Sequence, residues 1–573
     1  MAVNRRSMLI GTAAGTGLFT LGLAGLRAAD GSGGGGPVAR GEAFPKLPIG
    51  FNLAGIADWE PGFPFRNLFW GARPWQTRNL SGSGPQNTKT HDAFQFDDDG
   101  YPLQVPVAAP GQTEPQTVFT YVPNCRKPGI YTLLYDGEGE IDGLASTKII
   151  ARKPGRVKFR MAHVQDQYEA IVIKRSKLGN HVRNIRLVAE ADENVDLVAE
   201  PFLPEFLDFC RPFHCLRFMD WAQINNSTDE HWAGRKRPTF YTMVGVPGDP
   251  EATYAPAPTP FQMKFAGGVA IEIMIQLCNM LKIDAWFCVP HRATDDYIAQ
   301  FAKLVREKLD PGLKVYLEYS NEVWNWMFTQ AGWMIRSPLA GALVEAKGGK
   351  AWKDSSRKEG TNHPERIGAL LRRMFAIWEG EWTGDDRKRL IRVGAVQAAW
   401  LDASQRTIRW CLDNGGVDAI SPAAYIGPSD AIRKKWSTLG ASLTPESVIE
   451  DIMGELQALR TGSSFTQTVD FGKRHGLTYV AYEGGQHIQP EGQREHPYNP
   501  ALAAAQKHPR MYDLYIELLR LNRDLGCTLF AHFSSVGRQG TQWGSWGAKA
   551  TYATPNSESP KMRALIDCNS PRA

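Results

Sequence analysis

The chain has 573 residues, enough for roughly two to four domains of ordinary size. Hydrophobic residues make up 43% and charged residues 22%, the balance of a globular protein with ample core-forming material. A net charge of +5 is small for this length and gives no argument for nucleic acid or an anionic membrane surface as a partner, so neither is expected.

Residues 1–29 open with Asn4-Arg5-Arg6-Ser7-Met8-Leu9-Ile10 and continue as a mildly apolar stretch ending in Ala28-Ala29. A basic start, an apolar middle and a small-residue end are the pattern of an export signal, and the adjacent arginines fit the twin-arginine type. A membrane anchor is the competing reading. Four glycines between Gly11 and Gly22, and a length barely sufficient to span a bilayer, weigh against it. The expectation is therefore a periplasmic or secreted protein with no stable membrane insertion after processing. Residues 30–43, with the tract Gly31 to Gly36, read as a flexible Gly/Ser linker.

Residues 44–200 hold short β-branched runs separated by Gly, Pro and Asp. Examples are Gln116 to Val122, Gly129 to Tyr135, Lys148 to Ala151 and Glu169 to Ile173. With no long helical periodicity here, the spacing predicts an antiparallel β-sandwich.

From 201 to 573 the pattern changes to strand-like runs alternating with helix-length amphipathic segments, the signature of βα units on a parallel sheet. The runs are 215–219, 285–289, 315–319, 391–396, 417–421, 478–482 and 527–531. Helices are predicted over 201–212, 267–281, 294–308, 364–380, 402–414, 445–460 and 510–524. Seven strands fall one short of a (β/α)8 barrel. Arg183 to Val188, immediately before the first helix, is the preferred eighth. Ile49 to Gly55 is the alternative, and it would make the sandwich an insertion after strand one. The alternative architecture is an open doubly wound sheet, of which the nucleotide-binding versions are disfavoured, because no Gly-rich phosphate-binding turn follows any strand.

Chemistry on such a barrel sits at the C-terminal strand ends. Counting 215–219 as strand two, these ends carry Arg217 or Asp220, His291, Asn321 with Glu322, Gln397, Tyr425 and Glu483. Two of them carry a glutamate, and strands four and seven face each other across a barrel mouth. Retaining glycoside hydrolysis needs one carboxylic acid to protonate the leaving oxygen and one carboxylate to attack the anomeric carbon. Glu322 is assigned as acid/base, with Trp324 and Trp326 as neighbours able to desolvate it. Glu483 is assigned as nucleophile, held anionic by Tyr425 and Arg217. Glu318, four residues before Glu322, points to the same side of its strand but deeper, where a structural ion pair is expected. His487 lacks any paired-ligand spacing, so no metal is expected, and no cofactor. Asp220 and Trp221 either line the site or cap a loop. The charged stretch Lys347 to Lys358 reads as a solvated loop.

Tyr319-Ser320-Asn321-Glu322 and Tyr482-Glu483-Gly484, with Arg217, His291 and Tyr425 in order at their strand ends, resemble clan A of the glycoside hydrolases. That clan comprises retaining (β/α)8 enzymes with Asn-Glu as the acid/base dipeptide. The resemblance spans about 201 to the end and implies that Asn321 binds the sugar 2-hydroxyl while His291 and Arg217 support the subsite and nucleophile. It also implies a stacking Trp after strand eight. Phe533-Ser534-Ser535 stands there instead, leaving Trp543 and Trp546 in the following loop as candidates. The 44–200 module then reads as a carbohydrate-binding unit or a structural one. The expected partner is a polysaccharide. A non-catalytic carbohydrate-binding protein, for instance cellulose-binding, and a transglycosylase are the alternatives. Eight cysteines, at 125, 210, 215, 278, 288, 411, 527 and 568, form no CxxC pair, and one or two disulfides stay open.

Overall fold

The computed structural model describes residues 44–123, 127–162, 168–246, 266–349 and 362–572. The segment 1–29 read as an export signal, the whole of the 30–43 linker and most of the Lys347 to Lys358 stretch therefore lie outside the described residues. Two compact units divide the chain. One takes 55–209 and 220–277; the other takes 210–219, 278 to the end and the segment up to Ala54.

The second unit is a closed parallel barrel of eight strands. They are β1 (Ile49–Asn52), β2 (Cys215–Arg217), β3 (Asp284–Val289), β4 (Val315–Tyr319), β5 (Leu390–Val396), β6 (Ala419–Pro422, resumed over Ala424–Ile426), β7 (Thr478–Gln486) and β8 (Cys527–Phe533). The strands are neighbours in chain order, β8 pairs with β1, and β6 pairs with β7. This is the (β/α)8 fold. The helices fall within a few residues of their predicted places, among them Asp295–Lys308, His363–Glu381, Leu401–Asp413, Pro445–Leu459 and Arg510–Asp524. Local chemistry fixes several starts: Thr294 accepts from the Tyr297 N–H, and Thr444 from that of Ser447, each satisfying an otherwise orphaned donor.

The opening strand is the alternative one. Ile49–Asn52 lies between β2 and β8, with Gly50 opposite Cys215 and Ile49 opposite Phe530. Arg183–Ala189, the preferred candidate, instead pairs antiparallel with Gly129–Asp136. The barrel thus begins near 49 rather than 201, and the β module is an insertion between β1 and β2.

That inserted unit contains two four-stranded antiparallel sheets. One runs Gln76–Asn79, Gln116–Val122, Glu169–Ser176, Gly139–Ala145; the other runs Lys148–Lys153, Arg156–Met161, Gly129–Asp136, Arg183–Ala189. Burial alternates along Arg156–Met161, where Val157, Phe159 and Met161 are buried between more exposed basic residues, as period-two geometry requires. The unit also takes up 220–277, so Asp220 and Trp221 belong to it, and Trp221 is fully buried against Phe65 and Phe206 as core.

The seven cysteines among the described residues are all free and buried, which removes the disulfide option for them; Cys125 lies outside. Among the described residues no helix is long and apolar enough to cross a membrane.

Candidate active site

The barrel mouth is organised around one cation. Arg217, at the end of β2, is wholly buried. Its Nε donates to Glu318 Oε2, and Nη2 donates to Glu318 Oε1 and Asn321 Oδ1, each at 2.8 Å. Nη1 donates to Asn52 Oδ1 and Glu483 Oε1, also at 2.8 Å. A guanidinium has five N–H donors, so every one is used, and strands β1, β2, β4 and β7 are tied at a single point. Glu318 takes the bidentate pair and a 2.7 Å bond from the Trp286 indole, which makes it the structural counter-ion. Glu483 takes the remaining charged donor.

Glu483 is further fixed by the Tyr425 hydroxyl, which donates to Oε2 at 2.8 Å. Burial pushes its carboxyl up; the Arg217 charge and the bonds from Tyr425 and Arg217 pull against that. Glu322 stands in a different setting. Its Oε1 accepts from the Tyr482 hydroxyl at 2.9 Å and its Oε2 from the Asn325 amide at 2.8 Å, both neutral donors. Burial, and after it the charge of Glu483, raise Glu322 to about 7. Two buried carboxyls that feel each other cannot both ionise cheaply. The one beside the guanidinium keeps the charge, and the one among neutral donors keeps the proton.

Local backbone places these groups. Ser320 and Glu322 both have positive φ, 54° and 41°, a conformation that costs a non-glycine residue about 1–3 kcal/mol and clusters at functional sites. Asn321 and Glu322 are both buried there, and the Asn321 carbonyl accepts from Gln330 Nε2 at 2.8 Å. On β7 the pairing with β8 shifts register between Ala481 and Gly484, so that consecutive residues, Tyr482 and Glu483, both reach the cluster instead of alternating. A side chain at Gly484 would strike the Phe530 ring at 2.5 Å.

The other predicted positions divide. His291 is buried, packed edge-on against Trp333, and its carbonyl accepts from the Tyr319 hydroxyl at 2.8 Å. Trp324 is buried edge-on to Tyr482, one step behind Glu322. Trp326 is 40% exposed and stacks on His363. Trp546 lies against Tyr425, Phe533 and His487, beside the group that holds Glu483. Trp543 contributes its carbonyl to the Trp546 indole N–H. Buried Lys561 and Gln486 both donate to the Ser545 carbonyl and secure that loop. His487 belongs to this aromatic cluster; burial lowers it to about 3, so its ring is neutral. Among the described residues no group of three His, Cys, Asp or Glu is poised to hold a metal.

Three members went unpredicted. Asn52 follows from the corrected opening strand, and as the polar residue ending β1 it fits the rule that found the rest. Asn325 sits three residues beyond Glu322, where a side chain can turn back onto its own loop. Tyr482 entered only as a neighbour in Tyr482-Glu483-Gly484, with no role of its own, because strand alternation would send its side chain away from that of Glu483.

No protein-family model and no curated protein sequence matches the chain. Similar solved structures include a Bacteroidetes-affiliated GH5 cellulase linked with a polysaccharide utilization locus, at 9% identity and TM-score 0.30, covering 64% of this chain and 82% of that one. A Bacteroides ovatus GH5 xyloglucanase is 10% identical at TM-score 0.31, covering 78% and 95%. The endo-1,4-β-D-mannanase of Thermotoga petrophila is 13% identical at TM-score 0.25, covering 63% and 92%. Likenesses this distant carry no argument about activity, and the barrel rests on its own strand pairing.

Proposed function

We propose that the chain is an exported retaining glycoside hydrolase that cleaves β-linked polysaccharide through a covalent glycosyl-enzyme intermediate. The observation that carries the reading is the division of labour between two buried carboxyls at the ends of β4 and β7. Glu322 lies among neutral donors and is raised to about 7; Glu483 is bonded to Arg217 and Tyr425. That is the pairing of a proton donor with an ionised nucleophile.

In the first step Glu483 attacks the anomeric carbon as the glycosidic C–O bond breaks, and Glu322 passes its proton to the departing oxygen. The products are an alcohol on the leaving chain and a glycosyl ester on Glu483. Arg217 and Tyr425 stabilise the carboxylate until the bond forms. Glu322, now ionised, then takes a proton from water as the oxygen attacks the anomeric carbon. The ester bond breaks, Glu483 recovers its electron pair, and the released hemiacetal keeps the configuration of the substrate. In this reading Asn321, anchored by Arg217, binds the 2-hydroxyl, and Trp546, packed against Tyr425, forms an aromatic wall.

Activity is expected to fall on the alkaline side as Glu322 ionises near pH 7, and on the acid side as Glu483 is protonated. The test is a reducing-end assay over β-glucans, xylan, mannan and bacterial exopolysaccharides. Replacing Glu322 or Glu483 by Ala should each cost about 10²–10⁴-fold or more. Activity unchanged in both variants removes the assignment, and binding without turnover of any glycan favours a carbohydrate-binding protein instead.

A further inference from the structure

Among the described tryptophans of the barrel unit, Trp326 and Trp400 are the exposed ones, at 40% and 42%. They are not scattered. The His363 ring lies between them, 5.5 Å from each ring centre and inclined by 29° and 19°, making a column of three near-parallel rings. His363 is 2% exposed, and neither of its ring nitrogens has a hydrogen-bond partner among the described residues. Burying an imidazole without a partner costs free energy, so the arrangement is not what core packing alone would select. Burial, with Arg406 and Arg366 adding to it, lowers His363 to about 4, and the ring acts as a neutral flat spacer.

The column stands on rigid supports. His363 begins the helix that leads from the β4 loops towards β5, and Trp400 immediately precedes the helix after β5. Those helices are clamped at this end: Arg406 bonds both oxygens of Glu365 at 2.8 Å, and the Thr407 hydroxyl donates to the Pro364 carbonyl. Gly368 lets the helices approach, since a Cβ there would meet Trp410 at 2.8 Å. Trp326 is four residues beyond Glu322 in the same loop. Gln397, Ala398 and Ala399, which lead into Trp400, line one cavity with Tyr425 and His487.

We propose that Trp326 and Trp400, spaced by His363, form a glycan-stacking subsite on the leaving-group side of the cleavage point. Its ligand is a β-linked pyranose chain whose axial C–H groups give apolar ring faces. The side follows from the loop: Glu322 hands its proton to the leaving oxygen, so sugars lying over the segment beyond it belong to the departing chain. This rests on the hydrolase reading, and it adds that substrate continues past the scissile bond on the leaving-group side, so that turnover improves as the departing chain lengthens.

The test compares wild type with Trp326→Ala, Trp400→Ala, the double variant and Trp400→Phe. Two readouts are used: kcat and KM on a ladder of oligosaccharides from dimer to hexamer, and retardation in native gels cast with each soluble glycan. The expected result is a loss of about tenfold in kcat/KM on the longest substrate for each Ala change, carried by KM, with Trp400→Phe close to wild type. Retardation should weaken in parallel while melting temperatures hold. The Trp400 variant guards against disturbance of the Glu322 loop, because it sits on another strand's loop. Equal KM across the ladder and equal retardation in all variants overturn the subsite. If wild type turns over nothing, the hydrolase reading fails, and the gels alone decide: retardation lost in the double variant keeps the subsite, while unchanged or absent retardation ends it.

Discussion

Arg217 is a fully buried charge whose five donors are all spent, two on Glu318 and one on Glu483. Such a centre is expensive to disturb, because removing one partner leaves an uncompensated charge in a dry site. Glu322 is the opposite case: its ionised form is disfavoured by burial and by Glu483, so at neutral pH it weakens the fold it serves. The sign follows from linkage. In the unfolded chain the carboxyl ionises at an ordinary value; in the folded one it holds its proton up to about 7. Its contribution to stability is therefore complete in acid and lost as pH rises towards 7. Glu322→Gln should be more stable than wild type at pH 8, by on the order of 2 kcal/mol, with the gain vanishing near pH 4. Denaturant unfolding at the two pH values measures it. An equal effect at both would mean that Glu322 is not held protonated.

At the scale of elements, the end of β7 decides the site. Glu483 is followed by two glycines, and the structure gives each a reason. Gly484 faces Phe530 with no room for a methyl group, and Gly485 has a φ of 141°. Gly484→Ala should destabilise by about 1–3 kcal/mol through overpacking and should lower kcat by shifting Glu483; thermal melting and kinetics report the two effects separately. The helices and seven of the strands were legible because amphipathic periodicity is a local property, as in Asp295–Lys308 and Arg510–Asp524. The register shift on β7 was not, because it depends on how β7 meets β8. Hence Glu483 could be read from its strand end while Tyr482 beside it could not. Ser320 and Glu322 make the same point, since nothing in Tyr319-Ser320-Asn321-Glu322 announces two left-handed residues.

For the whole molecule, the consequential misreading was the opening strand. Arg183–Ala189 and Ile49–Asn52 are both short runs with β-branched or aliphatic residues, and sequence distance favoured the one nearer the first helix. What separates them is that Ile49–Asn52 pairs with strands far along the chain, at Cys215 and Phe530, while Arg183–Ala189 pairs with Gly129–Asp136, and no local pattern encodes either choice. A fragment spanning 201–573 should therefore not fold cooperatively, because without β1 the barrel is left with open edges at β2 and β8. Circular dichroism melting of the purified fragment checks this.

The central claim is that Glu322 and Glu483 carry out hydrolysis with retention. Proton NMR of the first-formed anomer, on whichever glycan the enzyme cleaves, tests it most directly. The account predicts that the β-anomer appears first and relaxes to the equilibrium mixture, and that in Glu322→Ala added azide restores turnover as the β-glycosyl azide. An α-anomer appearing first would contradict it.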